Sequence, residues 1–284
     1  KQTLDIKEEE YRAILRKSND YSHLLGIIES FDFDNNPWFR CLKNNFLIVE
    51  GNAGKGKSHL LGYEAELHGN SKECRSILLL GHKFVLQETP QNQIMKLLGR
   101  EDISFNTFLD ACEGEGELSG CITVIMIDAI NECQDSNVWR GYLNQIIQLV
   151  QKYKYVRLVC SIRSTYKKYF FDEALANDIK IGKIPLVKVV GFENALTDAI
   201  PLFFEYYNIP IEISDYFNYE FKDPLFLKTY CEVYRDRTTH RGSAGIYELY
   251  RLYIQKEEKK VRQLKNIIDD INYGSLIINI IGEY

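Results

Sequence analysis

Residues 51–58 combine glycines, a lysine and a serine at a spacing that can hold phosphate groups. The segment fits the pattern G-x-x-x-x-G-K-[ST] and consists of Gly51, Asn52, Ala53, Gly54, Lys55, Gly56, Lys57 and Ser58. In such a loop backbone N–H groups turn inward on phosphate oxygens, and the helix that follows adds its positive end. We expect Lys57 to reach the β- and γ-phosphates of a nucleotide and Ser58 to ligate Mg²⁺, with His59 as a further contact. The alternative, a glycine turn that merely precedes a helix, leaves the register of lysine and serine unexplained.

Two acidic residues follow the strongest apolar run of the chain. The run "ITVIMI" ends at Asp128, and Glu132 stands four residues later. A phosphate loop needs a second carboxylate to hold Mg²⁺, and we expect Asp128 to supply it from the strand next to that of the loop. A carboxylate at Glu132 can orient or deprotonate an attacking water. The alternative for Glu132 is a solvated loop acid.

Further candidate contacts lie on other segments. Arg163 ends the apolar run "VRLVCSIR", where it can sense the γ-phosphate, or else form a surface ion pair. The segment "NNPWFR" offers Trp38 and Phe39 as residues that line the adenine. For those two aromatic residues we favour the other interpretation, in which they pack the N-terminal helix onto the sheet.

The segments around these residues alternate between short apolar runs and helical patterns. Strands are predicted at "FLIVEG", "RSILLLGHKF", "CITVIMID", "VRLVCSIRS" and "IPLVKVVGF", with helices between the first four of them. Such alternation predicts crossovers and a mainly parallel sheet covered on both faces, an α/β fold. After about residue 195 the patterns are helical. We therefore divide the chain into an N-terminal helical linker (1–40), a phosphate-loop core (41–200) and a helical region (201–284), which includes the start of a following domain.

Composition excludes several other classes of protein. The net charge of −5 over 284 residues gives no overall basic field for nucleic acid, and no apolar run is long enough to span a membrane. Seven scattered cysteines without a C-x-x-C pair favour free thiols in the cytoplasm over disulfides or a zinc site. Because the chain starts at Lys1 and stops soon after an apolar "SLIINIIG", we expect it to be part of a longer protein.

The motifs taken together resemble a known family. "GNAGKGKSHLL", "VIMIDAINE", "LVCSIRS", "VVGFENALTDAIPLFFEYYNI" and "KDPLFLKTYCEV" are similar to the STAND NTPases, close to NACHT modules, and most of all to the antiviral STAND (Avs) proteins of prokaryotes. The likeness covers roughly residues 40–255. NACHT modules usually carry D-G-x-D-E, and here Asn131 replaces the middle acid. The resemblance also implies that Pro224 approaches the nucleotide.

The resemblance implies a fold and a function. The fold would be a P-loop NTPase of the AAA+/STAND type followed by a small helical domain. ATP and Mg²⁺ would be its cofactors, and slow hydrolysis would reset a switch. A C-terminal sensor elsewhere in the protein would recognise a phage protein. The chain would then assemble with itself, as a tetramer by family resemblance, and activate an N-terminal effector. Nucleic acid would be contacted only through that effector, and a membrane not at all.

Two other classes of function remain open from the residues alone. One is an enzyme in its own right, either a motor-like AAA+ ATPase or a phosphotransferase. The other is a scaffold that binds nucleotide without significant hydrolysis, which Asn131 favours slightly. A comparison of Lys57→Ala with Glu132→Ala in binding, hydrolysis and assembly distinguishes the three.

Overall fold

The computed structural model describes residues 41, 43–69, 71–235, 247 and 249–256. Several sequence predictions therefore lie outside the described residues: the N-terminal helical linker (1–40), the contacts of Trp38 and Phe39, and the parts 236–246 and 257–284 of the helical region. All seven cysteines are described, each as a free thiol.

The described residues contain a five-stranded sheet. Its strands are β1 (Phe46–Gly51), β2 (Cys74–Leu80), β3 (Ile122–Asp128), β4 (Val156–Arg163) and β5 (Leu186–Lys188). Their order across the sheet is β2-β3-β4-β1-β5, and both β2–β3 and β3–β4 are parallel pairs. The long apolar runs are the strands, as expected for strands that are covered on both faces. The predicted α/β fold with a mainly parallel sheet is confirmed.

One expectation about the sheet is wrong. Asp128 ends β3, and β3 is not the neighbour of β1, because β4 lies between them. Both edges of the β1 segment form backbone hydrogen bonds with other partners. Leu158 N–H donates to the carbonyl oxygen of Asn45 (2.8 Å), and Ile48 N–H donates to that of Pro185 (3.1 Å). An apolar run shows that a strand is buried but carries no information on which strand it pairs with. The strands next to β1 are β4, which ends in Arg163, and β5.

Helices connect the strands and follow the sheet. They are α1 (Lys57–Gly69), α2 (Pro90–Leu97), α3 (Phe105–Ser119), α4 (Tyr142–Val150), α5 (Lys167–Phe170), α6 (Glu173–Lys180), α7 (Leu196–Tyr206) and α8 (Pro224–Tyr234). Helices α5 and α6 were not predicted from the sequence. The start of α6 carries a capping signal, since the Asp172 carboxylate accepts from Leu175 N–H at 2.8 Å. Among the described residues no helix is both long and apolar enough to cross a membrane.

The contacts divide the chain into two compact units. Of the described residues, the first contains those up to Ile48, Ala65–Cys160 and Lys167–Val187, and the second contains Val49–Glu64, Ser161–Tyr166 and those from Lys188 onward. In the first unit β3 and α4 both contribute side chains to the core, and Trp139 is fully buried with its ring 4.8 Å from that of Phe84. The phosphate loop belongs to the second unit.

The second unit has an aromatic core that fixes α7 and α8. The ring of Phe204 lies 5.9 Å from that of Phe221 and 6.1 Å from that of Tyr230, and all three side chains are buried. Asp223 caps the first turn of α8, and Pro224 occupies its first position, where the missing N–H costs nothing. The core and the cap together determine where α8 begins.

Candidate phosphate-binding site

The phosphate loop connects buried strand β1 to helix α1. Its turn uses two glycines in the left-handed region, Gly54 (φ 76°) and Gly56 (φ 95°), a conformation that other residues adopt only with strain. A Cβ atom at Gly51 would lie 2.6 Å from the carbonyl oxygen of Val189, so this position also requires glycine. The predicted loop is therefore present as a strand–turn–helix, the context that the motif requires.

Lys57 is the first residue of α1 and is buried, although it carries a charge. Its ammonium donates to the carbonyl oxygens of Gly51 (2.7 Å) and Asn52 (2.8 Å). These bonds hold the ammonium inside the turn, at the start of the helix that would carry a phosphate. Ser58 and His59 follow in the first turn of α1, and both are exposed.

The acidic turn lies in the first unit. Asp128 is the last residue of β3 and is buried with 7% exposure, whereas Glu132 is exposed. Ala129 between them adopts the left-handed region (φ 54°, ψ 57°), and Glu132 N–H donates to its carbonyl oxygen at 2.8 Å. A residue with a β-carbon adopts the left-handed region only at a cost in free energy. The surrounding structure must therefore hold the turn in place.

Gly81 supplies part of that support. It follows β2, whose residue Leu80 is paired with Asp128. A Cβ atom at Gly81 would lie 2.0 Å from the carbonyl oxygen of Ala129 and 2.9 Å from that of Asp128. The two backbones touch directly, and only glycine permits this approach.

The second unit contains the remaining predicted site residues. Arg163 ends β4 and is half-buried, and Pro224 begins α8. The structure brings the start of α8 onto the phosphate loop: Lys55 Nζ lies 2.9 Å from Asp223 Oδ2. A Cβ atom at Gly191 would lie 2.8 Å from Pro224 Cδ and 3.4 Å from Lys55 Cδ. Pro224 therefore lies next to Gly191, which is also close to the Lys55 side chain of the loop.

A cavity of about 830 Å³ opens beside α1 within the second unit. Its lining side chains are aromatic, apolar or charged, with the cations in excess: His59, Leu202, Phe203, Tyr206, Tyr207, Lys228, Glu232, Arg235 and Lys256. The Arg235 guanidinium lies 5.6 Å from the centre of the Tyr207 ring. Burial raises the pKa of Tyr207, and the charge of Glu232 adds to the rise, so the phenol keeps its proton. A cavity of this size and charge suits an anionic ligand with a flat apolar part.

Sequence reasoning had missed Gly81, Asp223 and the cations of this cavity. A glycine directly after an apolar strand is a signal for a close backbone approach, and it could have drawn attention to Gly81. In the sequence, an aspartate before a proline indicates only the start of a helix. No pattern in the sequence pairs Asp223 with Lys55.

No protein-family model matches the sequence, and no curated protein matches it. Among solved structures, AMPPCP-bound DnaA from Aquifex aeolicus is similar at 14% identity and a TM-score of 0.41, over 83% of this chain and 59% of that one. DnaA domain III from Thermotoga maritima is similar at 15% identity and a TM-score of 0.41, over 92% and 90%. Cdc6p from Pyrobaculum aerophilum is similar at 12% identity and a TM-score of 0.41, over 81% and 59%. The chain spans about three fifths of the first and third of these proteins.

Proposed function

We propose that this chain is an ATP-binding and slowly hydrolysing P-loop NTPase module that works as a conformational switch. The observation that carries the proposal is the phosphate loop itself, a complete G-x-x-x-x-G-K-S turn between a buried strand and a helix, with a buried lysine at the start of that helix. A buried ammonium and the positive end of a helix favour a ligand with several negative charges. In this proposal the triphosphate lies in residues 51–58.

We assign the other site residues to roles around that triphosphate. Ser58 and Asp128 ligate Mg²⁺, Glu132 orients the attacking water, and Arg163 contacts the γ-phosphate. The cavity beside His59 accommodates the base and ribose, since its volume falls in the range of small-molecule sites. Pro224 belongs to the segment that adjusts to the bound nucleotide.

The finer assignment is to an antiviral STAND protein of the AAA+ kind, on the strength of the motif resemblance. A phage protein would be recognised by a sensor elsewhere in the full-length protein, which would assemble with itself in the cytoplasm, as a tetramer by resemblance, and activate an effector. ATP would act by binding one arrangement of the protein more tightly than another. Recovery of a nucleotide-dependent oligomer of the full-length protein, only when its trigger is present, tests this assignment.

The first prediction concerns magnesium. We expect the protein to bind ATP more tightly with Mg²⁺ than with EDTA, and Asp128→Asn to remove most of this difference, because a neutral amide is a poorer Mg²⁺ ligand than a carboxylate. Calorimetric titration with ATP in both buffers measures the two affinities. Asp102→Asn serves as the control, since Asp102 is an exposed carboxylate paired with Arg100 at 2.9 Å. Wild-type protein that takes up no ATP in either buffer refutes the proposed function.

The second prediction concerns hydrolysis. We expect Glu132→Gln to bind ATP as wild type does and to release phosphate on the order of 100-fold more slowly, the usual loss when a general base is removed. Phosphate release under saturating ATP measures it. Equal turnover in both proteins would remove Glu132 from the mechanism. A wild type that binds ATP without releasing phosphate would support the scaffold instead.

A further inference from the structure

Lys55 links the phosphate loop to helix α8. The lysine lies between the two left-handed glycines of the loop, and its ammonium is 2.9 Å from Asp223 Oδ2. The two side chains are only 23% and 36% exposed, so water screens the pair less than it screens a fully solvated one. The residue that reaches α8 is thus itself part of the loop that would hold phosphates.

The same carboxylate has a second role at the start of α8. Its other oxygen, Oδ1, accepts from Leu225 N–H at 2.9 Å and from Phe226 N–H at 3.2 Å. These are N–H groups that a helix cannot satisfy by itself. One aspartate therefore joins the loop lysine to the first turn of the helix through separate oxygen atoms.

Packing keeps the two segments in register around this pair. A Cβ atom at Gly54 would lie 2.9 Å from Leu225 Cβ, so the loop backbone rests directly on the side chain of the second residue of α8. On the other side, Phe192 N–H donates to the carbonyl oxygen of Lys222 at 3.0 Å and fixes the segment before the helix. The loop and the first turn of α8 are therefore held in contact around the Lys55–Asp223 pair.

We propose that Asp223 is a positioning residue that couples phosphate binding in the loop to the first turn of α8 through Lys55. This inference rests on the proposed function, because it requires a phosphate ligand in the loop. Phosphate oxygens beside the loop attract the Lys55 ammonium away from Asp223 Oδ2. The carboxylate is then held less firmly, and its bonds to the amides of Leu225 and Phe226 weaken. By reciprocity, any change that loosens the cap alters the affinity of the loop for phosphate.

Hydrogen exchange at two amides tests the coupling. We expect Mg·ATP to speed exchange of the Leu225 and Phe226 amides in wild type by about two- to fivefold, the range that a single solvent-accessible ion pair supports. Lys55→Met should show the faster exchange already without ATP, and Mg·ATP should add no further change. Asp223→Asn keeps a good helix cap but loses the charge, so its exchange should not respond to Mg·ATP. ATP affinity is measured for every variant.

Lys183→Met is the matched control, because Lys183 forms an ion pair with Asp178 at 3.0 Å in the first unit. It should leave the response of both amides to Mg·ATP as in wild type. If Lys55→Met binds Mg·ATP and its two amides respond as in wild type, a purely structural role for Asp223 is correct and the coupling is refuted. If wild type binds Mg·ATP and neither amide responds, the coupling alone fails. If wild type binds no Mg·ATP, the proposed function fails and the coupling fails with it.

Discussion

Lys57→Met is expected to weaken ATP binding strongly. The ammonium is buried and donates bonds of 2.7 and 2.8 Å inside the turn, whereas the ammonium of Lys55, the other lysine of the loop, pairs with Asp223. A charged hydrogen bond of this kind contributes about 1.5–3 kcal/mol, and the proposed contacts of Lys57 to the β- and γ-phosphates would be lost together. We expect a loss of affinity on the order of 100-fold or more, equivalent to about 2.8 kcal/mol, in a calorimetric titration with Mg·ATP.

The same substitution also affects the protein without ligand. Methionine leaves the carbonyl oxygens of Gly51 and Asn52 without this donor, and we expect the free energy of unfolding to fall by about 1–3 kcal/mol. Thermal unfolding shows whether the variant is still folded at the temperature of the titration. Lys96→Met controls for the loss of a surface lysine, as Lys96 is 57% exposed. A folded Lys57→Met protein with wild-type affinity for ATP would mean that the loop does not bind the phosphates.

The sequence was sufficient to predict the strands and the loop. Strands β1, β3 and β4 consist mainly of apolar residues that follow one another along the chain, and the loop motif is likewise contiguous. Both can therefore be recognised within a short stretch of sequence. Strand order cannot be read in this way, because pairing is set by backbone hydrogen bonds that all strands make alike. This is why Asp128 was expected on the strand next to β1, although β4 occupies that position.

The contacts around the candidate site illustrate the same limit. The Lys55–Asp223 pair joins residues separated by most of the described chain, and each alone has an ordinary local explanation, as a loop residue and a helix cap. Gly81 and Ala129 meet through backbone atoms, which every residue has. The side-chain pattern therefore could not reveal these contacts, and only the fold brings them together.

The second large effect is expected at Gly81, outside every recognised motif. Its α-carbon packs against the peptide that joins Ala129 to the next residue, and Ala129 is already in the left-handed region with φ 54°. A methyl group 2.0 Å from the Ala129 carbonyl oxygen cannot be accommodated by rotating a side chain, since the neighbouring atoms belong to the backbone. Either β2 or the turn that carries Asp128 and Glu132 must move.

Gly81→Ala should therefore lower both stability and magnesium-dependent ATP binding. We expect the free energy of unfolding to fall by about 2–3 kcal/mol, the upper range for overpacking at a buried position. If the turn is the part that moves, Asp128 is displaced from the end of β3, and the gain in ATP affinity on adding Mg²⁺ shrinks as it does in Asp128→Asn. Urea unfolding measures the first effect, and titration with ATP in Mg²⁺ and in EDTA measures the second.

Gly114→Ala separates this contact from a general effect of the substitution. Gly114 lies inside α3. Apart from the backbone of that helix, a Cβ atom there would have no heavy atom within 4 Å. Alanine should stabilise that helix by about 0.5–1 kcal/mol, the opposite sign to Gly81→Ala. Equal stability of Gly81→Ala and wild type would show that the backbone contact with Ala129 is not as close as the structure has it. A destabilised Gly81→Ala that keeps the full magnesium effect would show instead that β2 yields and the acidic turn stays in place.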